Sequence, residues 1–241
     1  MGMRTRRFGK GAAGAARADS LAKWLVVALA MGTALSLFAV NTAHAREPEP
    51  ATWDGMQKVS RPGLDTVYLR EGATLSKYKK VMLDPVEVSF DKNWDPKKTG
   101  TLIGTNNGVN PQRIREDLAK LAHDVTKREL ERKNGYPLVD QPGDDVLRVR
   151  AQIVDLYINA PDTMTPGSRT YVVSAGEMTL VAELYDSQTN TIIGRVVDRQ
   201  RGLEQGPFDL QIANRVTNTA EADRILSMWA RRLRNALDKA K

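Results

Sequence analysis

The chain has 241 residues, no cysteine and a formal net charge of +7, and the absence of cysteine excludes disulfide bonds, thiolate metal ligands and a lipidated N-terminal cysteine. Residues 1–45 hold six of the 36 basic side chains and one of the 29 acidic ones, so residues 46–241 carry 30 basic against 28 acidic side chains. That balance lacks the basic surface that binding to a phosphate backbone requires, so we expect no nucleic-acid partner.

Residues 1–45 have the three parts of a secretory signal peptide. A basic stretch is followed by the uncharged, mostly apolar residues 24–40 and then by Ala43-His44-Ala45, a small-x-small sequence of the kind that signal peptidase cleaves. We predict cleavage before Arg46 and export to the periplasm by the general secretory route. The alternative is a retained membrane anchor, because the apolar run is at the lower limit of a spanning helix.

After the signal peptide, the sequence predicts an arm and one domain. Residues 46–65 mix proline, glycine and charged side chains without periodicity, which is typical of a flexible N-terminal arm. Residues 66–241 are long enough for one well-buried core. Strand patterns begin at 66–69 and return at 79–90, where Pro85 indicates an edge strand or a bulge because proline cannot donate a ladder hydrogen bond.

Two amphipathic helices are predicted. The first follows Asn110, a good N-cap with proline next to it, and its apolar residues recur at helical spacing from Ile114 to Val125. The second begins near Asn218 with a capping box, and its apolar stripe contains Trp229. We expect this stripe to pack in the core; the alternative is a basic helix on a membrane surface.

Three further strands lie between the helices. Residues 146–158 and 170–186 alternate apolar and polar side chains, and a turn at 187–190 leads to residues 192–199, which predicts an antiparallel hairpin. The expected fold class is α+β, with two layers: a mixed or antiparallel sheet and two amphipathic helices on one face, in the order β-β-α-β-β-β-α.

The loop of residues 91–109 is the candidate partner-binding surface. Loops longer than about 12 to 15 residues are usually functional or disordered. The loop contains one interface-type aromatic residue, two lysines and two aliphatic residues, namely Trp94, Lys97, Lys98, Leu102 and Ile103. The alternative is that the apolar members fold back onto the sheet as a lid.

No catalytic, metal or cofactor motif is present in the sequence. His123 has alanine and lysine at the helical positions where a second metal ligand would stand, so we expect no metal site and no cofactor. Nucleophile elbows and phosphate-binding glycine loops are absent. Several acidic residues could in principle form a hydrolytic pair, which leaves enzymatic activity open: Asp144, Asp145, Asp155, Glu177, Glu183, Asp186 and Asp198.

Residues 145–151, 176–189 and 197–199, together with Tyr78, Val81 and Asp84-Pro85, resemble a lipoprotein-like family of bacterial envelope proteins grouped as domain of unknown function 3313. The resemblance covers most of residues 60–240 and implies the α+β fold. Many members have a lipobox, whereas this chain has Ala43-His44-Ala45, so we expect no lipid anchor.

The function we expect from these features is that of a non-enzymatic periplasmic accessory domain with a protein partner in the cell envelope. Two alternatives stay open. One is a periplasmic hydrolase that uses paired carboxylates, and the other is an outer-membrane-associated scaffold bound through the N-terminal arm. Membrane contact is expected only through an uncleaved signal or that arm, and the oligomeric state is not predicted.

Overall fold

A computed structural model describes residues 50–96, 109–159, 170–172, 174–203, 211–213 and 215–241. The helices are α1 (Pro111–Glu131) and α2 (Arg215–Lys239). The strands are β1 (Thr52–Trp53), β2 (Met56–Val59), β3 (Thr66–Arg70), β4 (Lys80–Leu83), β5 (Glu87–Phe90), β6 (Val146–Ile158), β7 (Thr170–Val172), β8 (Gly176–Asp186), β9 (Ile192–Arg201) and β10 (Gln211–Ala213).

The main sheet has the strand order β1-β2-β3-β9-β8-β6-β4, and β5 pairs with β6 beyond the end of β4. Strands β4 and β5 run parallel to β6, whereas the other neighbours are antiparallel. Strands β7 and β10 form a separate antiparallel pair. The predicted α+β class with a mixed sheet is therefore confirmed.

Both helices pack on the same face of this sheet. Around Ile153 and Met178, a buried cluster includes Val125 of α1 and Trp229 of α2. A second cluster at the other end of the helices contains Leu130 and Leu237, again one residue from each helix. The Trp229 side chain belongs to the core, as the apolar stripe predicted. None of the helices in the described ranges is long and apolar enough to cross a membrane.

The structure divides the chain into more strands than the predicted order contains. Residues 79–90 form two strands, β4 and β5, because the segment around Pro85 interrupts the ladder on β6. Residues 170–186, predicted as one strand, contain β7 and β8, which belong to different sheets. Strand β10 lies in what we predicted to be a connector, and α2 begins at Arg215 rather than near Asn218.

Part of the predicted N-terminal arm is also a strand hairpin. Residues 52–59 form β1 and β2, and β2 extends the main sheet by pairing with β3. Asp54 and Gly55 form the turn with φ angles of 48° and 72°, the left-handed conformation that Asp-Gly hairpin turns adopt. Met56 is fully buried. Residues 52–59 of the predicted arm are therefore joined to the sheet by the buried Met56 and by the ladder to β3.

Candidate binding groove between the two helices

Helices α1 and α2 lie side by side and run in the same direction. Arg128 forms an ion pair with Asp223 at 3.0 Å, and further along both helices the guanidinium of Arg234 donates to the carbonyl oxygen of Leu130 at 2.8 Å. Contacts therefore advance together along the two helices. Their N-terminal ends consequently lie at the same end of the molecule.

A cavity of about 660 Å³ lies between the N-terminal halves of α1 and α2 and the adjacent ends of β6 and β8. We call it the groove. Its volume falls within the range of about 300 to 1,000 Å³ that is usual for small-molecule sites. Its lining includes eight aliphatic side chains from the two helices and the two strands: Ile114, Leu118, Leu121, Leu156, Ile158, Met178, Ala222 and Ile225.

The helical walls follow from sequence spacing. In α1 the apolar lining residues lie four and three positions apart, from Ile114 to Leu121, which places them on one face. In α2 the lining residues Asn218, Ala222 and Ile225 have the same spacing. Two parallel helical stripes therefore face each other across the groove.

A bulge in β6 builds the floor. The register with β8 shifts between Val154 and Tyr157, and Asp155 has a φ of 51°. The extra residue moves Leu156 and Ile158 onto the helix side of the sheet, where they join the cluster that contains Ile153. Regular alternation from Ile153 would have turned both side chains away from the helices.

Gly176 completes the floor at the start of β8. Its φ is 153°, and a β-carbon at this position would lie 2.1 Å from the carbonyl oxygen of Tyr157. Only glycine permits this close approach of the two strands.

The charged side chains at the rim of the groove are paired with neighbouring charges. On α1, Lys120 lies 2.7 Å from Asp124, and Arg113 lies 3.7 Å from Asp117. Lys120 holds the pKa of Asp124 below its ordinary value, with a smaller contribution from His123 in the same direction. These pairs are exposed and contribute little stability.

The other side of the rim is also neutralised by ion pairs. Glu221 on α2 lies 3.1 Å from Arg224. Glu177 on β8 is paired with Arg199 and, at 3.3 Å, with Arg201 of β9. The rim therefore presents paired charges around an apolar interior.

Trp94 of the predicted partner-binding loop lies against the end of the sheet. The residue is 9% exposed, its ring stacks on Phe90 with centroids 4.0 Å apart, and its Nε1 donates to the carbonyl oxygen of Ile158 at 3.0 Å. These are the contacts expected if Trp94 folds back onto the sheet as a lid. The other loop residues of that prediction, Lys97, Lys98, Leu102 and Ile103, lie outside the described residues, as do the cleavage-site residues Ala43, Ala45 and Arg46.

The acidic residues that could have formed a hydrolytic pair are mostly held by basic or hydroxyl groups. Glu183 accepts from the Tyr185 hydroxyl at 2.7 Å and lies 3.6 Å from Arg195. Asp145 pairs with Lys80 at 3.3 Å. Among the residues that the structure describes, no three histidine or acidic side chains are grouped as metal ligands.

His123 lies on the solvent side of α1. Its side chain is 49% exposed, and Nδ1 lies 3.4 Å from the neighbouring Asp124 carboxylate. Within the groove lining, no histidine is present among the described residues.

The groove itself was not anticipated from the sequence. Its lining residues were predicted as core stripes, and the two helices that supply its walls are about 100 residues apart in the chain. The bulge in β6 at Asp155 was not predicted either. Its only sequence signal is an aspartate that interrupts the alternation of the strand.

Comparison with known proteins places the chain in a family. The model of DUF3313, described as a protein of unknown function, matches residues 49–233. No curated protein matches the chain. Similar solved structures are a PelC dodecamer from Paraburkholderia phytofirmans (10% identity, TM-score 0.34, 70% of this chain and 96% of that chain) and a DUF330 protein from Xanthomonas campestris (10%, 0.40, 70% and 88%). A third is a neuraminyllactose-binding hemagglutinin homolog from Helicobacter pylori (11%, 0.35, 68% and 93%). The family match spans most of the chain, which therefore belongs to DUF3313.

Proposed function

We propose that this chain is an exported accessory domain of the bacterial cell envelope that binds a partner molecule in the groove and performs no catalysis. The groove carries this proposal, because apolar side chains from four separate elements line one concave space of a size that is usual for small-molecule sites. Lys120 holds the pKa of the rim carboxylate Asp124 below its ordinary value, which favours binding over acid-base chemistry, since a general acid or base needs a pKa near the working pH.

Export is the part of the proposal that the N-terminal sequence supports. The order of basic stretch, apolar run and Ala43-His44-Ala45 predicts a mature chain that starts at Arg46 and is released into the periplasm. Intact-mass measurement of the protein from a periplasmic fraction tests this. Ala45→Arg is the control, because it removes the small residue at the cleavage position and should retain the leader. A wild-type mass that includes residues 1–45 would show that the leader is retained and that the domain is anchored rather than released.

Binding in the groove is tested by photo-crosslinking in intact cells. A photoreactive amino acid at Leu121 lies in the groove wall, whereas the same amino acid at His123 lies on the exposed side of the same helix. We expect adducts from position 121 and none from position 123, detected by mass spectrometry. Absence of adducts from both positions, or adducts from position 123 alone, would contradict the groove as the binding site.

A further inference from the structure

We infer that the groove binds a single hydrocarbon chain of an amphiphile whose headgroup carries no net charge. This inference rests on the proposed binding function of the groove and adds the chemical class of the ligand.

The volume of the groove suits one extended chain better than a helical segment. An α-helix with its side chains is about 10 to 12 Å across and rises about 5.4 Å per turn, so two turns occupy about 1,000 Å³. The groove holds about 660 Å³. An extended chain can lie wholly inside this volume, whereas most of a helix would remain outside it.

Hydrogen bonding favours a hydrocarbon chain over an extended peptide. A peptide brings an N–H and a C=O group with every residue, and each needs a partner when it is removed from water. The strands at the floor are already paired with each other, with Tyr157 opposite Glu177 and Ile158 opposite Gly176. The backbone N–H of Asn159 likewise donates to the carbonyl oxygen of Ala175 at 3.1 Å. A chain of methylene groups has no polar groups to satisfy and matches the apolar lining.

The charges at the rim favour a headgroup without net charge. Lys120, Glu177 and Glu221 each have an opposite charge within ion-pair distance. Each of these charges already has an opposite partner among the described residues, so the rim offers little net counter-charge to a charged headgroup. Neutral polar side chains line the end of the groove where the two helices begin, namely Asn110, Asn218 and Thr219, and amide and hydroxyl groups suit an uncharged hydroxyl or amide headgroup.

A homologous series of ligands gives the most direct test. Octanol, decanol and dodecanol should bind the purified mature protein with affinities that rise about fourfold for each added CH₂ group until the groove is filled. Binding is measured by calorimetry and by displacement of the fluorescent probe N-phenyl-1-naphthylamine. Affinity should be unchanged between low and high salt, because no charge is exchanged. Affinity that does not depend on chain length would overturn the inference.

Fatty acids of the same chain lengths test the headgroup. Laurate at neutral pH should bind no more tightly than dodecanol, since the basic groups at the rim are already paired. Laurate that binds more than tenfold tighter, with a strong dependence on salt, would show that the rim recognises a charged headgroup and would overturn this part of the inference.

Two tryptophan variants on α2 test the location. Ala222 lines the groove, whereas Ala220 is exposed two positions earlier on the same helix. Ala222→Trp should weaken dodecanol binding by more than tenfold, and Ala220→Trp should leave it unchanged. If Ala222→Trp does not fold, Leu121→Asn replaces it, because it puts a polar group into the lining without added volume. Equal affinities for all variants would place the alcohol elsewhere and contradict the inference.

Crosslinking and alcohol binding together distinguish a wrong ligand class from a wrong binding site. Protein adducts from position 121 in cells, combined with no alcohol binding, would leave the groove as a binding site and reject the hydrocarbon ligand. If the wild-type protein self-associates and the Ala222→Trp variant is monomeric, the groove binds a second copy of the chain. That result would also reject the hydrocarbon ligand. Absence of both adducts and alcohol binding would reject both proposals.

Discussion

The indole Nε1 of Trp229 donates a 2.7 Å hydrogen bond to Oδ2 of Asp198, a fully buried carboxylate in β9. The same oxygen accepts from Arg232 at 3.0 Å and from Gln200 at 2.9 Å. The other carboxylate oxygen accepts from the backbone N–H of Asp65 at 3.0 Å. One buried side chain therefore joins helix α2, strand β9 and the segment that leads into β3.

Asp198→Asn is expected to destabilise the protein. The amide retains the shape of the carboxylate but turns one NH₂ group toward a donor and leaves the Arg232 guanidinium without its counter-ion. Loss of one partner of a fully buried ion pair costs about 3 to 5 kcal/mol, and because Arg232 is 28% exposed we expect the lower end of that range. Urea denaturation followed by circular dichroism measures the free energy of unfolding. The exposed Asp140→Asn is the control and should change it by less than about 0.5 kcal/mol. An Asp198→Asn variant as stable as the control would show that this network is not structural.

Asp186 makes the stability depend on pH at the acidic end. Lys77 and the backbone N–H of Thr189, with a smaller contribution from the Tyr78 hydroxyl, hold the pKa of this carboxyl well below its ordinary value of 3.8. Because the folded-state pKa is depressed, the stabilisation is fully present above about pH 4 and is lost as the pH falls below that value.

The pH effect is isolated by comparing wild type with Asp186→Asn. Wild type should lose more stability between pH 5 and pH 3 than the variant, as measured by urea midpoints at each pH. Lys77→Met should reduce the difference, because it removes the largest cause of the shift. Lys77 is half-exposed, so added salt should also reduce it. Parallel pH profiles for wild type and Asp186→Asn would contradict the assignment.

Arg234 of α2 caps the C-terminal end of α1. Its Nη1 donates to the carbonyl oxygens of Leu130 at 2.8 Å and Arg132 at 2.9 Å, and the Leu130 oxygen also accepts from the backbone N–H of Tyr136 at 2.8 Å. Arg234→Met should lower the free energy of unfolding by about 1.5 to 3 kcal/mol, the usual range for a hydrogen bond to a charged group. Lys239→Met, at an exposed position on the same helix, is the matched control. Equal thermal unfolding of the two variants would exclude a capping role.

Trp94 is expected to contribute to stability through its packing. Trp94→Ala removes the ring stacked on Phe90 and the hydrogen bond to Ile158, and large-to-alanine changes of buried aromatic residues cost about 3 to 5 kcal/mol. Trp94→Phe keeps an aromatic ring and loses only the N–H donor, so it should cost less. Thermal melting of the two variants gives the order. An unchanged melting temperature for Trp94→Ala would favour the partner-contact alternative for this residue.

Much of the local structure could be predicted because it depends on neighbours in the sequence. The N-cap Asn110 accepts from the N–H groups of Gln112 and Arg113 at 3.0 and 3.2 Å, as its position before Pro111 indicated. Alternation in 146–154 and 176–186 identified the two long central strands. The Asp54-Gly55 turn was not predicted, although this dipeptide between strand-forming residues is a hairpin signal. The mixed composition of the surrounding arm obscured that signal.

The sequence by itself determined the α+β class, the two helical stripes and the long strands, because helix and strand periodicity act over a few residues. Only the tertiary structure decided the groove and the environment of Asp198. The groove depends on two helices from distant parts of the chain meeting over the bulge at Asp155, and Asp198 takes its partners from 31, 34 and 133 residues away. Such contacts produce no pattern in the local sequence. In the sequence alone each of these side chains resembles an ordinary core or surface residue, because its partners come together only when the chain packs.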